Sequence, residues 1–267
     1  MKYLLAGAFA LLLTAGCTSP DHHPAAAPQP HAAPPTAAPA LPHNGDAEKA
    51  AAALLGVLLR DNTAFVQAHP PGYFQSFQND QHPRATVVAC ADSRFHLQSI
   101  DRAPDGDIFE IRNIGNQIDT SEGSVDYGVH HLHTPLLLII GHVGCGAVKA
   151  ALGDYGEEPP SIRRELDGLQ LSIRHTSAPK GADTFEARWL ATVIGNVHQQ
   201  VSDALHEYAE PVRTGDLFVV GAVYDFRDDL GQGKGRLHVI DINGEVSPER
   251  IEGAPILRAA KQLATSP

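Results

Sequence analysis

The sequence predicts an α/β domain: a mostly parallel β-sheet with flanking helices and an antiparallel strand at one edge. Three observations carry this reading. Short apolar runs at Ala85 to Ala89, Asp107 to Ile111, Leu136 to Ile140 and Leu217 to Val223 have the length and composition of strands buried on both faces. Helical stretches lie between them, and strand alternating with helix marks a parallel sheet covered on both sides. The Gly231 to Gly235 turn then leads into Leu237 to Ile242, close enough in sequence to pair antiparallel with the strand before it.

In chain order, Lys2 and the apolar run Tyr3 to Leu13 read as an export signal over residues 1–17, because the run is too short to span a membrane. Thr14-Ala15-Gly16-Cys17 resembles the bacterial lipoprotein cleavage box, in which the cysteine is lipidated and becomes the new N-terminus; Thr14 stands where an aliphatic residue is usual. The mature chain is therefore expected outside the cytoplasm, periplasmic or in the cell envelope, and membrane-bound only through Cys17. Residues 18–45 are rich in Pro and Ala without apolar periodicity and fit an extended tether. Histidines 22, 23, 31 and 43 within it read as solvated, since ordering such a tract around a metal costs entropy.

The domain is expected over 46–267. Ala50, Ala53, Leu54, Val57 and Leu58 recur at helical spacing, which predicts an N-terminal helix from Asp46 to Val66 packing on the body and ending before Pro70-Pro71-Gly72. Helices are further expected over Ser124 to Leu132, from Ala147 to Leu152, and over the long stretch from Thr184 to Tyr208. No internal repeat is present. The 267 residues, 43% of them hydrophobic, suffice for one buried core, and a formal net charge of −11 argues against a nucleic-acid partner.

Ligands in open parallel sheets gather at the carboxyl ends of strands. Cys90 closes the first strand, His142 follows the third, and Cys145 lies three residues beyond at the start of a helix. Two thiolates and an imidazole suit zinc, and three protein ligands with an open fourth position mark a catalytic site. Two readings compete at this point: buried cysteines and a core histidine satisfied by packing, or a Cys90–Cys145 disulfide in an oxidising compartment. With only three cysteines, Cys17, Cys90 and Cys145, a disulfide framework is excluded and at most one bridge is possible. Gly141 to Gly146 does not have the glycine spacing of a dinucleotide loop.

Cys90-Ala91-Asp92-Ser93-Arg94 and Gly141-His142-Val143-Gly144-Cys145-Gly146 together resemble the two metal-binding motifs of beta-class carbonic anhydrases, in the family's order. Ile111-Arg112-Asn113-Ile114-Gly115-Asn116 and Glu122-Gly123-Ser124 through Tyr127 resemble segments between them, and the resemblance spans Phe74 to Ile242. It implies a zinc enzyme that reversibly hydrates carbon dioxide to bicarbonate and a proton, assembled as a homodimer or homotetramer through N-terminal helices and sheet edges. By resemblance Cys90, His142 and Cys145 hold the metal. Asp92 either accepts a hydrogen bond at the metal site while paired to Arg94 or replaces that partner with the metal as a fourth ligand. Gln81 matches a glutamine that contacts substrate.

Val87 replaces the tryptophan that marks a bicarbonate-inhibited subtype. Because two thiolates cancel the charge of the ion, activity is expected to improve toward alkaline pH. His130, His131 and His133 read as surface or interface residues. The same scaffold also resembles hydrolases of carbonyl sulfide or carbon disulfide, and an inactive zinc-binding envelope module is a further alternative, against which the Asp92–Arg94 pair speaks.

Overall fold

The computed structural model describes residues 47–176 and 184–265. The export signal, Cys17 and the tether lie outside the described residues. Five strands form one sheet in the order β2-β1-β3-β4-β5: β1 (Ala85–Cys90), β2 (Ile108–Asn113), β3 (Leu136–His142), β4 (Phe218–Asp225) and β5 (Arg236–Ile242). The first four are parallel, and β5 pairs antiparallel with β4. Each coincides with an apolar run expected from the sequence. Val87, Val88, Leu137, Ile139, Val219 and Val223 are sealed from solvent, as continuous apolar strands covered on both faces require.

Helices α1 (Ala47–Ala68) and α2 (Pro71–Gln75) precede the sheet, α3 (Glu122–Asp126) and α4 (Gly146–Ala151) flank β3, and α5 (Pro160–Gly168) and α6 (Gln170–His175) follow. The dominant helix is α7 (Phe185–Glu207), capped by Thr184, whose hydroxyl accepts from the Ala187 N–H at 3.2 Å. Trp189, Val193, Val197 and Val201 repeat every four residues and form its buried stripe. Close approach to the sheet depends on glycine: a Cβ at Gly141 or Gly221 would stand 2.6 or 2.7 Å from a Val197 methyl. After α7 come α8 (Ala209–Thr214), α9 (Pro248–Gly253) and α10 (Pro255–Thr265).

Two expectations differ from the structure. The helix expected over Ser124 to Leu132 is α-helical only through α3. Tyr127–His131 forms a π turn, with the Leu132 N–H donating to the Tyr127 carbonyl at 2.9 Å. The N-terminal helix exists, but none of its residues is buried. Its sequence from Ala50 to Leu59 carries no charge, so no polar face directs one side of it to this chain's core. Among the described residues, no helix is long and apolar enough to cross a membrane.

Candidate metal centre

The sheet register builds the site. Ala89 lies beside Ile140 on adjacent parallel strands, so Cys90 and the Gly141-His142 pair leave the sheet together at its carboxyl edge. The chain then turns sharply. Val143 donates to the Tyr224 carbonyl at 3.1 Å, and Gly144 adopts φ +66°, a conformation glycine enters without strain. Cys145 follows as the residue before α4.

These folds bring three donor atoms into one cluster. The ligating atoms of Cys90, His142 and Cys145 all lie within 4.8 Å of one another, and all three residues are buried. Both cysteines are free thiols with their sulfurs 3.8 Å apart, so the disulfide reading does not describe this structure. Two thiolates sharing a tetrahedral zinc at ~2.3 Å each stand roughly 3.8 Å apart. The His142 ring places Nδ1 3.1 Å from the Val143 carbonyl, while Nε2 is buried with no hydrogen-bond partner. An Nδ1–H donated to that carbonyl leaves Nε2 with a lone pair facing the sulfurs, the tautomer a metal needs.

The thiols are polarised in opposite directions. Cys90 is pulled well below the usual thiol range by the Cys145 S–H, by His142 and by a backbone N–H at Gly115. Cys145 is pushed up by that same contact and by burial, although the amides of Val148 and Ala147 favour its thiolate. A divalent cation held by both sulfurs would favour their thiolate forms and displace protons from the pair.

Asp92 stands beside the cluster. Its Oδ2 is 3.7 Å from His142 Nε2, too far to bond, and both carboxylate oxygens are taken by Arg94: Nε to Oδ1 at 2.8 Å and Nη2 to Oδ2 at 2.6 Å. Arg94 is itself tied to the Gly144 carbonyl at 2.9 Å. The guanidinium holds the Asp92 carboxyl down to about 2, with the Arg94 N–H helping against partial burial. Phe226 closes one wall, 5.0 Å from the Arg94 guanidinium and stacked 6.1 Å from the His142 ring. Its position is set by buried Asp225, which accepts from the N–H groups of Arg227, Asp228 and Leu230.

Residues 85–233 match the carbonic anhydrase family, which covers more than half of the chain and includes every residue of the cluster. The chain belongs to the beta-class carbonic anhydrases. It is 33% identical over 177 residues to the carbonic anhydrase of Mycolicibacterium smegmatis, covering 64% of this chain and 82% of that protein. With carbonic anhydrase 2 of Mycobacterium tuberculosis it shares 30% over 204 residues, covering 71% and 94%. The solved β-carbonic anhydrase CcaA superposes with a TM-score of 0.62 at 25% identity over 70% of this chain and 93% of that one. The Coccomyxa β-carbonic anhydrase has the same fold, with a TM-score of 0.62 at 22% identity over 80% and 99%.

In this β-class site the structure gathers Cys90, His142, Cys145, Asp92 and Arg94, while Asp92 is paired to Arg94 and stands outside the three-ligand cluster. Gln81 lies exposed in the irregular segment before β1, and no hydrogen bond among the described residues links it to the cluster. His130, His131 and His133 are exposed and distinct from the site. Two supporting residues escape sequence reading. Trp189 donates its indole N–H to the Cys145 carbonyl at 2.9 Å, with Lys149 and Arg227 5.1 and 5.4 Å from its ring. Arg112 reaches the Cys90 carbonyl. Neither a lone tryptophan 44 residues past a ligand nor an arginine near the end of a strand signals in sequence which carbonyl it will hold.

Proposed function

We propose that this protein catalyses the reversible hydration of carbon dioxide to bicarbonate and a proton, with zinc held by Cys90, His142 and Cys145. The observation that carries the reading is the Cys2His donor set with an ionised, arginine-held carboxylate beside it. Bound zinc supplies the Lewis acidity that makes a water nucleophilic near neutral pH. Asp92, ionised across the physiological range, accepts a hydrogen bond at the open side and so orients the attacking oxygen's lone pairs toward substrate. Arg94 keeps that carboxylate committed, and Phe226 provides apolar surface beside it, which suits a small uncharged substrate. Gln81 is assigned to substrate contact by its motif position; a Gln81→Ala variant with an unchanged KM would remove that assignment.

Stopped-flow hydration of the 46–267 fragment across pH, with zinc quantified, tests the function. Rapid hydration that strengthens toward alkaline pH is expected. One zinc per chain without hydration would overturn the reading in favour of a sulfur-analogue hydrolase or an inactive module.

The enzyme is exported and anchored through Cys17, a reading supported by the lipoprotein-like Thr14 to Cys17 box and the Pro/Ala-rich segment after it. Palmitate labelling of the full chain that persists in Cys17→Ser would exclude the anchor. It further acts as a homo-oligomer, in which α1 of a second copy covers α1. Leu54, Leu55, Leu58 and Leu59 are each more than half exposed on this helix, and burying each such side chain is worth about 1.5–3 kcal/mol. Sedimentation velocity should give at least a dimer that a Leu55→Asp/Leu58→Asp variant reduces to monomer; a monomeric wild type would dismiss the proposal.

A further inference from the structure

The segment that leaves β1 carries the first metal ligand and the Asp92 carboxylate, yet beyond Cys90 it has no regular structure. Its one further ladder-like bond is from the Ala91 N–H to the Asn113 carbonyl at 2.8 Å. Three of its carbonyls instead converge on one guanidinium. Arg112, near the end of β2, donates from Nε and Nη2 to the Cys90 carbonyl at 3.0 and 2.7 Å. Nη2, sharing its two hydrogens among three acceptors, also reaches Asp92 O at 2.7 Å and Phe95 O at 3.1 Å. The guanidinium lies 5.8 Å from the ring of Phe95, a residue only 1% exposed, and Glu110 pairs with it at 3.7 Å.

The contacts are ordered along the chain. One cation grips the segment at the ligand, at the carboxylate residue, and at the buried phenylalanine where the chain returns to the core. A planar guanidinium can hold several carbonyls in fixed directions; an ammonium cannot reproduce that fork. Since the Asp92 carbonyl is fixed from the β2 side and its carboxylate from Arg94, this backbone has little freedom to swing toward the cluster.

We propose that Arg112 is a positioning residue of the metal centre: by holding the Cys90, Asp92 and Phe95 carbonyls it sets both the grip of Cys90 on the ion and the commitment of Asp92 to Arg94. The proposal rests on the zinc site described above but not on which molecule that site turns over.

The test compares wild type, Arg112→Gln and Arg112→Lys by chelator competition for zinc, by the visible absorption of the cobalt-substituted protein, and by hydration kinetics. Loss of the clamp is expected to weaken zinc ~10–100-fold, the usual effect of removing support behind a ligand. The cobalt spectrum should change as Asp92 enters the coordination sphere, and return toward the wild-type form when Asp92→Asn is added. kcat should fall more than KM rises, with Arg112→Lys intermediate in all three readouts. If Arg112→Gln does not fold, Arg112→Lys carries the same comparison. Unchanged zinc affinity and cobalt spectrum in a folded variant would overturn the proposal, leaving Arg112 a purely structural filler. Were wild type to bind zinc without hydrating carbon dioxide, affinity and spectrum would still decide the role of Arg112 while the functional reading fell.

Discussion

Replacing Cys145 with serine is expected to strip the enzyme of zinc and lower carbon dioxide hydration by at least about a thousandfold, equivalent to roughly 4 kcal/mol. The serine hydroxyl is nearly the size of the thiol but does not ionise near neutral pH, so one soft anionic donor of three is lost. The cost falls on the metal rather than the fold. Cys145 is 1% exposed, and the Trp189 bond reaches its backbone carbonyl rather than its sulfur, so the variant should unfold within a few degrees of zinc-free wild type, both lying below the zinc-loaded enzyme. Elemental analysis, stopped-flow kinetics and thermal unfolding read the three consequences separately. Stoichiometric zinc with undiminished hydration would dismiss the assigned site.

The second large effect is expected at the Asp92–Arg94 pair, and its form is more informative than its size. Asp92→Asn keeps the shape but removes the charge, and should cost ~10²–10³ in kcat/KM as an orienting group at the reacting centre is lost. Arg94→Ala should cost about as much for a different reason. With its guanidinium gone, Asp92 remains ionised at neutral pH, now without a partner, at the open side of a divalent cation, and is drawn onto it. Removing both should therefore be no worse than removing either one, since groups acting as a unit are not additive. Losses that multiply in the double variant would mean that the two side chains act independently and that Arg94 does not restrain Asp92.

The sheet and the cluster were largely legible in the sequence, for a shared physical reason. Strands buried on both faces have few polar positions, so Ala85 to Ala89, interrupted only by Thr86, and Leu136 to Ile140 stand out as apolar runs, and ligands at strand ends fall next to them. Residues 160–175 carry little sequence signal, because α5 and α6 are short and mostly polar, with Leu166 buried in α5, Ser172 in α6 and Leu169 at the junction between them. For α1 the helix was legible but its partner was not, since periodicity reports an apolar face without saying which molecule covers it. Arg112 stands in a family-like segment, but its role as a support, like that of Trp189, is not legible, because their bonds to the ligand carbonyls span 22 and 44 residues and exist only once β2 and α7 have docked.

The strand order has a consequence for how the chain matures. Cys90 and Cys145 are 55 residues apart and meet only when β1 and β3, with β2 laid outside them, have found their parallel register. A chain that has not yet closed this crossover presents one cysteine at a time and has no more than a weak hold on an ion. In a zinc finger the metal drives folding; here full-strength metal capture is expected to wait on closure of the crossover. Zinc uptake during refolding therefore cannot outrun parallel strand pairing, which is among the slowest contacts a polypeptide makes.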